Sequence, residues 1–140
     1  MRIVVIDNTA HSENTVSFID KEVIQLIKNF LDAKKQSLAK SHDGSGQYDL
    51  YEIWNRADFS SNVDFIDRVV IPPNSTVGYH KHANNEEIYI VIEGQGAMNL
   101  NGKDISIKKG DMILNQPFGE HGLVNNSDSV IDILVIQVSI

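Results

Sequence analysis

The sequence predicts an all-β protein, a sandwich or barrel of short strands with an N-terminal α-helix packed on its outside. Three observations carry that prediction. Short strand-like runs follow one another closely after residue 46. Turn pairs such as Asn101-Gly102 separate them. Helical periodicity is confined to the N-terminal part of the chain. With 140 residues the chain suffices for one domain around one core. It divides into a strand-and-helix extension over residues 1–46 and a β-barrel over residues 47–140.

The elements follow in order. Ile3 to Ile6 reads as a strand able to complete a neighbour's sheet edge. Ser17 to Lys40 reads as the helix, because Val23, Ile24, Ile27, Phe30 and Leu31 form an apolar stripe at helical spacing. Asp20 is placed to cap its start, and Lys34, Lys35 and Lys40 lie where the helix dipole favours cations. Gly44 and Gly46 mark the polar loop that closes this region. Strands are expected over Tyr48–Trp54, Phe65–Ile71, Val77–His82, Glu87–Ile92, Ala97–Leu100, Asp104–Ile107, Met112–Leu114 and Val130–Val138. Pro72-Pro73-Asn74 closes the second of these, since two prolines cannot donate to a β-ladder. Glu93-Gly94, Asn101-Gly102 and Lys109-Gly110 supply further turns, the Asn-Gly pair suiting a type I′ hairpin.

Composition excludes several classes of function. A net charge of −7 disfavours nucleic acid and anionic membranes, which would repel the chain. The chain has no cysteine, hence no disulfide and no thiolate ligand or nucleophile. No run approaches the roughly 20 apolar residues that span a bilayer, and the apolar start is too short for a signal peptide. A cytoplasmic protein is the resulting expectation. The open strand edges lead us to expect a homodimer.

Of five histidines, three fall in two segments punctuated by glycine. Alternate residues of a strand share a face, so His80 and His82 point the same way and can offer ring nitrogens to one metal ion. A short Asn-rich turn then brings up a second strand from which Glu87 can point into the same space. Tyr89 and Val91 would share that face, with Ile88, Ile90 and Ile92 on the other. His121 supplies a third imidazole after a Pro/Gly turn. His11 and His42 read as ordinary surface or core residues.

These residues resemble the cupin superfamily, in particular small single-domain bacterial cupins of the conserved-barrel, RmlC-like type. The family's first motif runs Gly, five residues, His-x-His, three or four residues, Glu, six residues, Gly. His80, His82, Glu87 and Gly94 match its latter part, and the spacing to Gly94 selects Glu87 over Glu86. Asn74 stands at the leading glycine, a mild change because Asn tolerates left-handed backbone angles. Gly110, His121 and Asn125 match the frame of the second motif. Inside it Pro117 and Gly119 are shifted one position toward His121, and Gln116 stands at the usual proline. The resemblance spans about Phe65 to the C-terminus and implies a double-stranded β-helix, the cupin jelly-roll barrel.

It also implies one divalent metal, from Fe, Mn, Ni, Zn or Cu, held by His80, His82, Glu87 and His121. Four protein ligands would leave open positions for substrate or oxygen. The expected function is a mononuclear metal enzyme acting on a small polar metabolite, dioxygenase-like in chemistry. The alternatives are a non-redox isomerase, epimerase or lyase, and a metal-dependent ligand-binding or sensing module. Tyr89, Arg68, Met98, Met112 and Gln116 are the expected pocket residues. A core or surface role is the competing reading for each.

Overall fold

A computed structural model describes residues 26–140, which form ten strands and two short 3₁₀ turns. In chain order the strands are β1 (Lys35–Ala39), β2 (Gln47–Asn55), β3 (Val63–Ile71), β4 (Thr76–Lys81), β5 (Asn85–Glu93), β6 (Gln95–Leu100), β7 (Lys103–Lys108), β8 (Met112–Asn115), β9 (Glu120–Val124) and β10 (Ile131–Ser139). All pair antiparallel, in a six-stranded sheet of order β1-β2-β3-β10-β5-β8 and a four-stranded sheet of order β4-β9-β6-β7. Because β3, β10 and β5 are neighbours far apart in sequence, the chain winds between the two sheets as a jelly roll.

Alternation builds the core. Val69 and Ile71 of β3, Tyr89 and Val91 of β5, and Ile131, Ile133 and Val135 of β10 all face inward and are buried. Val77, Met98, Ile107 and Leu123 meet them from the smaller sheet. Burying a side chain of this size contributes about 1.5–3 kcal/mol, so the inward rows fix strand register.

The turns match their sequence signals. Asn101 and Gly102 both take positive φ (51° and 79°), as a type I′ turn requires. Asn74 has φ 62°, the left-handed conformation for which glycine is the usual residue at that place.

The expected helix over Ser17–Lys40 is overturned in its described part. Residues 26–34 are turns and bends, and β1 occupies Lys35–Ala39. Ile27 and Leu31 are 77% and 60% exposed and only Phe30 is half-buried, so the described part of the stripe forms no continuous buried face. The backbone of β1 instead pairs with β2 from Lys35↔Tyr51 to Ala39↔Gln47, and left-handed Lys40 (φ 50°) ends it. The six-stranded sheet therefore starts upstream of residue 47. The remainder of the helix segment, the Ile3–Ile6 strand and His11 lie outside the described residues. β9, which holds His121, is a strand that sequence periodicity did not single out.

Candidate metal centre

β4, β5 and β9 bring the histidines together. His80 and His82 flank the end of β4, and His80 lies directly across from His121 of β9. Two glycines permit this crowding. A Cβ on Gly122 would sit 2.9 Å from the Tyr79 Cα, and one on Gly78 would collide with the His42 carbonyl. The loop at Ser41–Asp43 thus lies on β4, and the His42 ring stacks on His80 with centroids 3.7 Å apart and planes within 8°.

The imidazole nitrogens of His80, His82 and His121 lie close enough together to hold a metal ion. Their outer nitrogens explain their orientation. His80 Nδ1 is 2.8 Å from the Gly78 carbonyl oxygen, and His82 Nδ1 is 2.8 Å from Asn85 Oδ1. Both partners only accept, so each Nδ1 carries the proton and each Nε2 presents a lone pair. Burial pushes the His80 imidazolium below the usual histidine range, favouring the neutral ring that ligates metals.

His82 Nε2 and His121 Nε2 are 3.0 Å apart. Glu87 Oε2 lies 3.0 Å from His121 Nε2 and 3.4 Å from His82 Nε2. That oxygen is buried and has no hydrogen-bond partner. Ligands at about 2.1 Å from one ion are spaced by about 3.0–3.4 Å, from octahedral to tetrahedral arrangement. The spacing of His82, His121 and Glu87 therefore fits a divalent cation, and the His80 nitrogen lies within 4.8 Å of those of His82 and His121. Across from Glu87 in β8, Asn115 is also buried, with both amide atoms unpartnered.

Beside the histidines lies a cavity of about 120 Å³. Tyr89 lines it, together with His42, Asp67, His80 and Glu87. Burial, then the nearby Glu87 carboxylate, raises the Tyr89 phenol well above its ordinary range, so it stays protonated. The other expected pocket residues are elsewhere. Arg68 points out of the barrel because its neighbours Asp67 and Val69 point in; its guanidinium pairs with Asp132 at 2.6 Å and covers the Tyr51 ring. Met98 is buried in the core between the sheets, Met112 is 67% exposed on edge strand β8, and Gln116 is exposed in the following turn.

Sequence reasoning passed over Asp67 and His42. The strand parity of β3 carried a signal for Asp67, since Val69 and Ile71 mark the inward face. Nothing in the spacing of His42 signalled its stack on His80, which depends on the loop folding back over Gly78.

Asn125, the last residue of the second motif, has a structural role. Its Nδ2 donates to the Ile71 and Ser129 carbonyls, each at 2.8 Å, and its Oδ1 accepts from Ser127. The shifted turn also closes. Pro117 and left-handed Phe118 (φ 61°) sit between Gln116 and Gly119, and Gly119 N–H donates to the Gln116 carbonyl.

The cupin-domain family profile matches residues 67–137. An oxalate-binding protein of Thermotoga maritima is 25% identical over 118 residues, covering 84% of this chain and 98% of that protein. The crystal structure of a predicted oxalate decarboxylase from the same organism superposes with a TM-score of 0.79 at 24% identity, over 81% of this chain and 99% of that one. A cupin 2 conserved-barrel protein from Rhodopseudomonas palustris gives 0.66 at 9% identity, over 78% and 73%. With half of its length matched by the family profile, and with the fold and histidine cluster described above, this chain belongs to the cupin family.

Proposed function

We propose that the chain holds one divalent metal through His80, His82, Glu87 and His121 and acts as a mononuclear metal enzyme on a small polar metabolite. The carrying observation is the convergence of His82 Nε2, His121 Nε2 and the unpartnered Glu87 Oε2 within 3.0–3.4 Å. Three buried acceptors this close repel one another unless a cation or shared protons lie among them. Once bound, the metal supplies a Lewis acid for a chelating ligand and, if it is iron, dioxygenase-like chemistry. The chain supplies a small cavity walled by both polar and apolar side chains, and a Tyr89 hydroxyl that stays protonated at its wall.

Metal-dependent binding without turnover is the second reading, favoured by the likeness to a protein named for oxalate binding. Anaerobic loading with Fe(II), followed by oxygen and a panel of small oxalate-like and hydroxy acids, separates the two. Oxygen uptake matched by product, abolished in Glu87→Gln, supports the enzyme. Stoichiometric ligand binding with neither oxygen uptake nor product refutes turnover by oxidation and supports the binding module. An isomer or cleavage product formed without oxygen points to the non-redox class.

A further inference from the structure

Asp67 is a cavity carboxyl that the metal centre does not use. β3 parity turns it inward, it is only 8% exposed, and its Oδ1 has no hydrogen-bond partner. It lines the same cavity as Glu87 and His80. Leaving such an oxygen unpaired costs about 1–3 kcal/mol, so a group that completes it on binding recovers that cost.

The surroundings limit which group can do so. No lysine or arginine lines the cavity among the described residues, and much of the wall is aliphatic or aromatic, including Leu50, Phe65, Val77 and Val135. Arg68, the neighbour in sequence, faces the other way and is already paired with Asp132. Burial first, then the charges of Glu52 and Glu87, raises the Asp67 carboxyl to about 7 against the opposing Ile53 backbone N–H. The cavity thus handles one further negative charge poorly at its Asp67 end. Above that pH Asp67 is ionised; a hydroxyl can then donate to its carboxylate, whereas a second carboxylate meets like charge with no lysine or arginine beside it.

Resting on the metal-centre reading above, we propose that Asp67 sets ligand specificity. It accepts a hydrogen bond from a hydroxyl at the metal-distal end of a short hydroxy acid, and it rejects ligands ending in a second carboxylate. The cavity, about 120 Å³, suits a ligand well below drug size.

Glycerate and tartronate form a matched pair of probes. Both can chelate through an α-hydroxy carboxylate, and they differ only in ending on a hydroxymethyl group or a carboxylate. Titration calorimetry at about pH 8.5, where Asp67 is ionised, on protein loaded with one equivalent of Mn(II) should show glycerate bound at least about tenfold more tightly than tartronate. Asp67→Asn keeps the shape and removes the charge, and should bring the two affinities within about threefold. Asp67→Ala should weaken glycerate by about tenfold. Mn(II) affinity should stay within about threefold of the parent in both variants, since Asp67 is not a ligand. Tartronate binding as tightly as glycerate, a preference unchanged in both variants, or no glycerate binding to loaded protein would each overturn the proposal. If those results come with Mn(II) bound, the metal centre stands. Failure of the chain to take up any metal removes both.

Discussion

Glu87→Gln is the sharpest single perturbation of the centre, because it changes one charge and almost no volume. Glu87 Oε2 is 3.0 Å from His121 Nε2 and 3.4 Å from His82 Nε2, in a side chain that is nearly fully buried. Residues that merely support metal ligands are worth tenfold to a hundredfold in affinity, so losing a charged ligand should cost at least about a hundredfold. The assay is thermal unfolding with and without metal. Metal at about 100 times the parent's dissociation constant stabilises the folded parent by about 2.7 kcal/mol. The same concentration then only matches the variant's dissociation constant and adds about 0.4 kcal/mol. At about 3–5 °C per kcal/mol for a domain of this size, the parent gains about 8–14 °C and Glu87→Gln about 1–2 °C. An equal gain in both proteins would refute the assignment of Glu87 as a ligand.

Three further perturbations test other parts of the structure. Asp67 carries a raised value in the fold, about 7 against 3.8; the folded state therefore keeps a proton that the unfolded chain has released. Stability of the metal-free protein should fall as pH rises from about 4 to about 7 and then level off, by at most about 4 kcal/mol, and urea unfolding of Asp67→Asn should lack that slope. Arg68→Ala breaks a two-pronged, largely buried pair with Asp132 (2.9 and 2.6 Å) and should cost about 2–4 kcal/mol in urea unfolding. Metal and ligand affinities should not change in that variant; a selective loss of ligand binding would return Arg68 to the pocket. Asn125→Ala strands the Ile71 and Ser129 carbonyls and the Ser127 N–H, and should cost about 2–4 kcal/mol by the same measurement.

Much of the barrel was legible because strand parity and turn chemistry are local. The alternation of Glu87, Tyr89 and Val91 with Ile88, Ile90 and Ile92 sets the inward face of β5, and Asn74 and Asn101-Gly102 adopt the backbone their residue types favour. β1 was not legible. Lys35-Gln36-Ser37-Leu38-Ala39 lacks β-branched residues and has good helix formers, so local propensity points away from the strand that pairing with β2 imposes. The side of Arg68 was ambiguous for a related reason. β3 carries apolar residues on both faces, Ile66 and Val70 outward and Val69 and Ile71 inward, so hydrophobic alternation is weak. Met112 was misplaced because β8 is a short edge strand, where an apolar side chain can remain exposed. The His42 stack depends on a non-local approach of loop to strand, which no window of sequence contains.

The central claim is that four side chains from β5, β9 and the end of β4 make one metal site. Equilibrium dialysis of the chelator-treated protein against Mn(II), Fe(II), Ni(II), Zn(II) or Cu(II), followed by elemental analysis, measures it directly. About one equivalent per chain is expected with at least one of these ions, falling in His82→Ala and His121→Ala. Fewer than about 0.1 equivalents with all five would contradict it.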